Sequence, residues 1–201
     1  MLRGTVSPEA VIESTVRGDR VVISTPGKRT DHPVELTIGG EHLLDLHVEW
    51  RCTWDHARRY LAVVESNVAV GFPVTRNPLL RVEYVRARRW AQAHIQVHAE
   101  RADYGYVLAK AGKDGPAQLY DVHLPVGDRR FRPCLEDVVE MAVEDLGVDS
   151  QDGWRAVVEE GRDRWRLIQA KSALRDAIRE HPDQAETFRR LIDEAQHEVS
   201  S

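Results

Sequence analysis

Cysteine is scarce: Cys52 and Cys134 are the two thiols in 201 residues, too few for a disulfide framework or a four-thiolate zinc site. No apolar run approaches the roughly 18 residues that a membrane span needs. Residues 1–8 lack the apolar core of a signal peptide. The familiar chemical signatures are missing too. There is no glycine-rich loop of the P-loop or Rossmann kind, no Gly-x-Ser-x-Gly elbow and no His-Glu-x-x-His. These absences predict a reduced, cytoplasmic chain with no membrane partner, no cofactor motif and no metal motif.

What is present describes a folded protein. Hydrophobic residues make up 42% and charged residues 30%, a globular rather than a disordered composition. The length suits one ordinary domain with a helical appendage, expected as an α+β body over residues 1–150 and an acidic helical extension over 151–201. Arginine outnumbers lysine 24 to 4, a bias that suggests a GC-rich coding sequence. The net charge of −5 is unevenly spread: residues 135–201 hold 17 acidic and 9 basic side chains, residues 1–134 hold 16 and 19. The basic excess gathers at Arg76, Arg81, Arg86, Arg88, Arg89 and Arg101, and again at Arg129, Arg130 and Arg132. A basic body with an acidic tail suits nucleic-acid contact, with Arg86, Arg88, Arg89, Arg130 and Arg132 at the phosphates. The plain alternative is a solvated surface.

Periodicity divides the chain into a strand-rich part and a helical part. Ser7-Pro8-Glu9, followed by Gly18, reads as a helix with Pro at its first position and Gly as its stop. The competing reading is a hairpin of residues 11–16 with 21–24 around Gly18-Asp19. Residues 34–38 read as a strand and Gly39-Gly40 as a turn. Leu44, Leu46, Val48 and Trp50 then alternate with Asp45, His47, Glu49 and Arg51, the mark of a half-buried antiparallel strand. Residues 60–68 suit the centre of the sheet. Alternation continues over residues 79–86, 93–99 and 120–126. After Pro133 the period becomes helical: Leu135, Val138, Val139, Ala142, Val143 and Leu146 share a stripe that stops at Gly147. Asp152 precedes a longer helix carrying Trp154, Val158, Gly161 and Trp165, and Pro182 opens a last one. The fold class is α+β, an antiparallel β-meander with helices packed on one face and a helical C-terminal extension.

The polar face of that sheet is where chemistry would reside. It collects Asp45, His47, Glu49, Arg81, Glu83, His94, Gln96, His98, Asp121 and His123. Solubility alone explains such a face, yet histidines at 94, 98 and 123 exceed what solvation requires, and they titrate near neutrality. On a helix, His94 and His98 could share a metal. On a strand they lie roughly 13 Å apart at ~3.3 Å per residue. Ile95 and Val97 favour the strand and so disfavour the metal, whereas a helix over residues 90–105 would revive it. Cys52 and Cys134 read as buried, inert thiols. Trp154 and Trp165 read as packing residues, and Gly161 as a place for close helix approach.

Asn77-Pro78-Leu79-Leu80-Arg81-Val82-Glu83-Tyr84, then Ala93-His94-Ile95-Gln96-Val97-His98, then Val122-His123-Leu124-Pro125-Val126 before a helix, resembles the strand order of TumE-like toxins of bacterial toxin–antitoxin modules. It is also similar to related uncharacterised phage-defence families. The likeness covers roughly residues 41–146. Glu83 stands where those families carry Asp, and His98 lies beyond their tighter histidine spacing. The resemblance implies a toxin or defence effector acting on RNA or translation, with His94, His98, Arg81 and Glu83 on its functional face.

A metal-independent ribonuclease needs a base, an acid and a phosphate-binding cation. His94 or His98 as base, His123 as acid, and Arg81, Arg130 or Arg132 at the phosphate would supply them. The acidic tail would then hold a cognate antitoxin or mask the basic face. A second reading is a non-enzymatic interaction protein, an antitoxin or regulator binding through its acidic helices; the net negative charge fits it. A third is a metal-dependent hydrolase using His94, His98, Asp121 and His123. Homodimerisation through the apolar stripe from Trp154 to Leu174 is compatible with all three.

Overall fold

The computed structural model describes residues 1–26, 32–55, 58, 60–75, 77–99, 119, 123–127 and 130–199. Arg76, Arg101, Asp121 and Arg129 lie outside these residues, as does the first half of the strand expected over 120–126. The described residues form eight strands: β1 (Glu13–Arg17), β2 (Arg20–Ser24), β3 (Val34–Ile38), β4 (Glu41–Trp54), β5 (Leu61–Gly71), β6 (Leu80–Val85), β7 (Ala93–Val97) and β8 (Leu124–Pro125). Three α-helices follow: α1 (Leu135–Glu144), α2 (Trp154–Glu180) and α3 (Ala185–Val199). All the strand pairs are antiparallel, in the order β1-β2-β4-β5-β6-β7-β8, with β3 also on β4.

The N-terminal helix expected over residues 7–18 is replaced by the competing hairpin. β1 and β2 pair from Glu13↔Ser24 to Arg17↔Arg20, and Gly18 turns between them at φ +65°. A glycine at the first central position of a two-residue loop matches the twist of a hairpin, whereas a helix gains little from β-branched Val11, Ile12, Thr15 and Val16. Gly39 and Gly40, at φ +61° and +84°, make the equivalent turn between β3 and β4.

β4 is long enough to serve two partners on one side. β2 pairs with its residues 49–53 and β3 with its residues 41–46, while β5 runs along the other side. The alternation read from the sequence sends Leu44, Leu46 and Val48 into the core. Val34, Leu36, Val68 and Val70 join them from neighbouring strands, and Val138, Val139 and Ala142 of α1 pack on that face. Each fully buried valine of this kind contributes about 1.5–3 kcal/mol. Leu2, Val6 and Ala10 of the N-terminal segment and Val158 of α2 complete the same core.

α1 is held at its start by charge. The Asp137 carboxylate accepts the Cys134 backbone N–H at 2.8 Å, and its other oxygen accepts Nε of Arg162 from α2 at 2.8 Å. Arg162 also donates to Glu140, and its side chain is 12% exposed. Gly161, beside it, leaves room for the Glu136 side chain of α1, so the close approach expected at that glycine takes place there. Both thiols are free and buried. Burial pushes Cys134 up to about 12 and raises Cys52 against the opposing charge of Arg86.

The chain separates into two compact units, Met1–Arg162 and Asp163–Ser201. That division revises the idea of an acidic tail. Residues 163–201 carry 8 acidic and 7 basic side chains, whereas residues 135–162 carry 9 and 2. The acid excess therefore sits in α1 and the connection that follows it, within the first unit, and part of it is already paired with Arg155 and Arg162. No helix among the described residues is long and apolar enough to cross a membrane.

Two outcomes follow from these contacts. Arg162→Ala leaves Asp137 and Glu140 without their shared partner and should lower unfolding free energy in urea by about 1–3 kcal/mol. Asp149 accepts the Gly39 and Gly40 N–H groups at 3.0 and 2.8 Å. The Gly40 bond leads in holding its carboxyl below its ordinary 3.8. A depressed folded-state value gives stability that is present above the unfolded value and lost as pH falls through the folded one. Asp149→Ala should therefore flatten the fall of the urea midpoint below about pH 4.

Candidate functional site

Strand register assembles the polar face into rows. Glu49, Asn67, Glu83 and His94 stand opposite one another across β4, β5, β6 and β7, and Arg81 faces Gln96 in the next row. In the first row Glu83 is the hub. One carboxylate oxygen accepts Asn67 Nδ2 and Arg81 Nη1, both at 3.1 Å, and the other lies 3.1 Å from His94 Nε2. The Glu83 side chain is 19% exposed.

His94 was expected on a water-facing surface. It lies on the polar face but is fully buried. β8 pairs alongside β7, with Pro125 directly opposite His94, and the His123 ring stands edge-on to the His94 ring with centroids 4.6 Å apart. Nδ1 of His94 is 2.9 Å from the Ala91 carbonyl oxygen, an acceptor, so that nitrogen carries a proton. Ala91 adopts φ +49°, a conformation that L-residues with a Cβ seldom take up. Strain of this kind is held where surrounding contacts over-determine it, and here its carbonyl anchors the buried ring.

Arg88, on the β6–β7 connection, joins the two histidines. Its Nη1 is 3.3 Å from His94 Nε2, and its Nη2 is 2.9 Å from His123 Nε2. A guanidinium has no acceptor, so His123 Nε2 receives that bond and the ring proton sits on Nδ1. Gln96 Nε2 approaches the same nitrogen at 3.4 Å. The connection is itself tied down: Val85 N–H donates to Gln92 O, Arg88 N–H to Val85 O, and the Gln92 amide to Arg86 O. At its tip Arg86 and Arg89 are exposed, and Trp90 is 73% exposed. A cleft of about 260 Å³ opens on the same sheet face, lined by Ser24, Thr25, His47, Glu49, Arg51 and Asn67.

Of the expected residues, Arg81, Glu83, His94 and His123 are brought together, and Arg88 joins them. His98 is not. It continues the line of β7, roughly 13 Å from His94 at ~3.3 Å per residue, with both ring nitrogens buried and its backbone N–H on Leu79 O. Residues 93–97 are strand, so the helical spacing that a shared metal would require is not present there. Among the described residues no three His, Cys, Asp or Glu side chains converge to hold a metal ion. Arg132, expected at a phosphate, instead lies 4.0 Å over the Tyr84 ring on the apolar side of β6. Arg130 is half-buried.

Asn67 and the Ala91 carbonyl were not foreseen. Asn67 sits in an apolar-looking run, and only its cross-strand position opposite Glu83 reveals it. Comparison with protein-family models finds no match, and comparisons with curated proteins and with solved structures find none either.

The burial difference between the two histidines is measurable. His94→Ala removes a packed ring and a partner of Glu83, and should cost about 2–4 kcal/mol in urea unfolding. His123→Ala, at a half-exposed ring, should cost about 1 kcal/mol or less.

Proposed function

We propose that this chain binds single-stranded RNA through the β6–β7 connection and cleaves it without a metal at the Arg88–His123 pair, as a toxin or defence effector of the bacterial cytoplasm would. The observation that carries the reading is Arg88. It reaches from a loop bearing exposed Arg86, Arg89 and Trp90 into a cluster of His123, His94 and Glu83. Exposed aromatic and guanidinium groups side by side form a surface on which bases stack and phosphates pair.

The roles differ from those expected of the sequence. His94 has no solvent access, so it acts as a positioning residue that fixes Arg88 and Glu83 from beneath. His123 is the accessible imidazole, and its lone pair is occupied by Arg88. A phosphate draws Arg88 onto itself, which frees His123 Nε2 to take the proton of the ribose 2′-hydroxyl. The 2′-oxygen then bonds to phosphorus, the bond to the 5′-oxygen breaks, and water protonates the leaving oxygen. Arg88 balances the charge that accumulates on the phosphoryl oxygens.

A second reading has its own observation. Leu167, Ile168, Leu191 and Ile192 are exposed on the helices of the 163–201 unit, a surface suited to a protein partner. With near-balanced charge, that unit would bind by its apolar side chains, and it has little net negative charge with which to mask a basic face.

Purified protein incubated with single-stranded RNA, with and without EDTA, tests the first reading. Native chain should cleave in both conditions. His123→Ala should lose about 100-fold or more in rate while still binding, and Trp90→Ala should weaken binding about tenfold. Intact RNA and no binding at physiological salt would remove the ribonuclease reading and leave the protein-partner one. Cleavage abolished by EDTA would exclude the metal-independent chemistry.

A further inference from the structure

β1 is an edge strand of an unusual kind. All five of its residues are exposed, Val16 by 65%, and its outer side meets no other strand among the described residues. Natural edges are commonly blunted by shortness, Pro, a bulge or charged side chains, Lys above all; the charges of β1, Glu13 and Arg17, are one of each sign. β1 has no Pro or Lys, and its five residues pair with β2 without a register shift. The opposite edge of the sheet is different: it ends in β8, two residues that include Pro125.

The sequence of β1, Glu-Ser-Thr-Val-Arg, is complementary to itself read backwards. In the hairpin, pairs alternate between hydrogen-bonded and non-hydrogen-bonded, starting from the bonded pair Arg17↔Arg20 beside the two-residue turn. Residues 13, 15 and 17 therefore direct their backbone groups toward β2, and Ser14 and Val16 direct theirs outward. Ser14 and Val16 are symmetric about Thr15. An antiparallel copy centred on Thr15 thus pairs Ser14 with Val16 of the second copy at both ends through backbone bonds. The same register sets Glu13 opposite Arg17, twice, in the closely spaced non-bonded pairs where opposite charges attract.

We propose that β1 is a homodimerisation edge, and that two copies of this chain pair β1 to β1 about a two-fold axis through Thr15, joining their sheets into one. The contact is isologous, so it closes at two copies. It is independent of the proposed ribonuclease site, which lies toward the other end of the strand order.

Sedimentation over about 1–100 μM, with cysteine cross-linking, tests the register, since a cross-strand disulfide forms where Cα atoms approach within about 4.4–6.8 Å. Native chain should dimerise reversibly. Arg17→Glu should raise the dimer dissociation constant about tenfold or more, and Glu13→Arg/Arg17→Glu together should restore it to within about threefold. Ser14→Pro removes an outward N–H, leaves the hairpin bonds in place and should also give monomers. Thr15→Cys should oxidise to a covalent dimer faster than Ser14→Cys, and the native thiols, both buried, should stay reduced. Circular dichroism melts confirm that each variant is folded. A native chain that stays monomeric at the highest concentration overturns the proposal. So does a dimer unaffected by both Arg17→Glu and Ser14→Pro, which would place the contact on another surface such as the C-terminal helices.

Discussion

An imidazole cannot be withdrawn from water unless each ring nitrogen finds a partner, because an unmatched buried polar group costs about 1–3 kcal/mol. His94 meets that condition through three residues of the β6–β7 hairpin. The Ala91 carbonyl takes one nitrogen from within a tight, left-handed turn, and Glu83 and Arg88 flank the other. Glu83 in turn needs Arg81 and Asn67, and Arg88 needs His123. The register of β5, β6 and β7 and the placing of β8 are all tied to this one buried ring. A slip of one residue in any pairing would carry the polar row into the apolar core.

The same sheet separates two kinds of electrostatics. On the apolar side, charge appears where helices meet, Arg162 against Asp137 and Glu140 and Arg155 against Glu144, and where Arg132 lies over Tyr84 of β6. The ion pairs join α1 to Arg155 and Arg162 at the start of α2 within the first unit. On the polar side the charges converge. Arg88 joins two histidines beside a carboxylate, and the loop that carries it also exposes Trp90 and Arg89. Structural charge is shared out among partners, whereas a site concentrates groups that can exchange partners with a ligand. His123 is half-exposed with Arg88 at its Nε2, whereas His94 is fully buried.

Much of the architecture was legible because it follows from side-chain period. The alternation Leu44, Leu46, Val48 marks β4, and Val82 and Tyr84 mark β6. The stripe Val138, Val139, Ala142 marks α1 and the face it covers. The N-terminal hairpin was misread because Ser7-Pro8-Glu9 carries a helix-start signal. Pairing with β4, a partner far along the chain, outweighs it. Charge was misjudged for a similar reason. A sum over residues 135–201 hides that the acid excess sits on α1 and the connection after it, since the sequence has no mark for the boundary within a continuous helix at Arg162.

By itself the sequence determined which residues could share a face: Arg81 with Glu83, His94 with Gln96 and His98, Glu13 with Thr15 and Arg17. Period-two geometry is local, so it can be read without knowing the neighbours. Tertiary structure alone decided which of these faces meet. Register placed Asn67 and Glu83 in one row with His94, and the pairing of β8 with β7 set Pro125 opposite that ring. Each of those outcomes depends on which strands pair and in what register, which the side-chain period of a single strand does not carry.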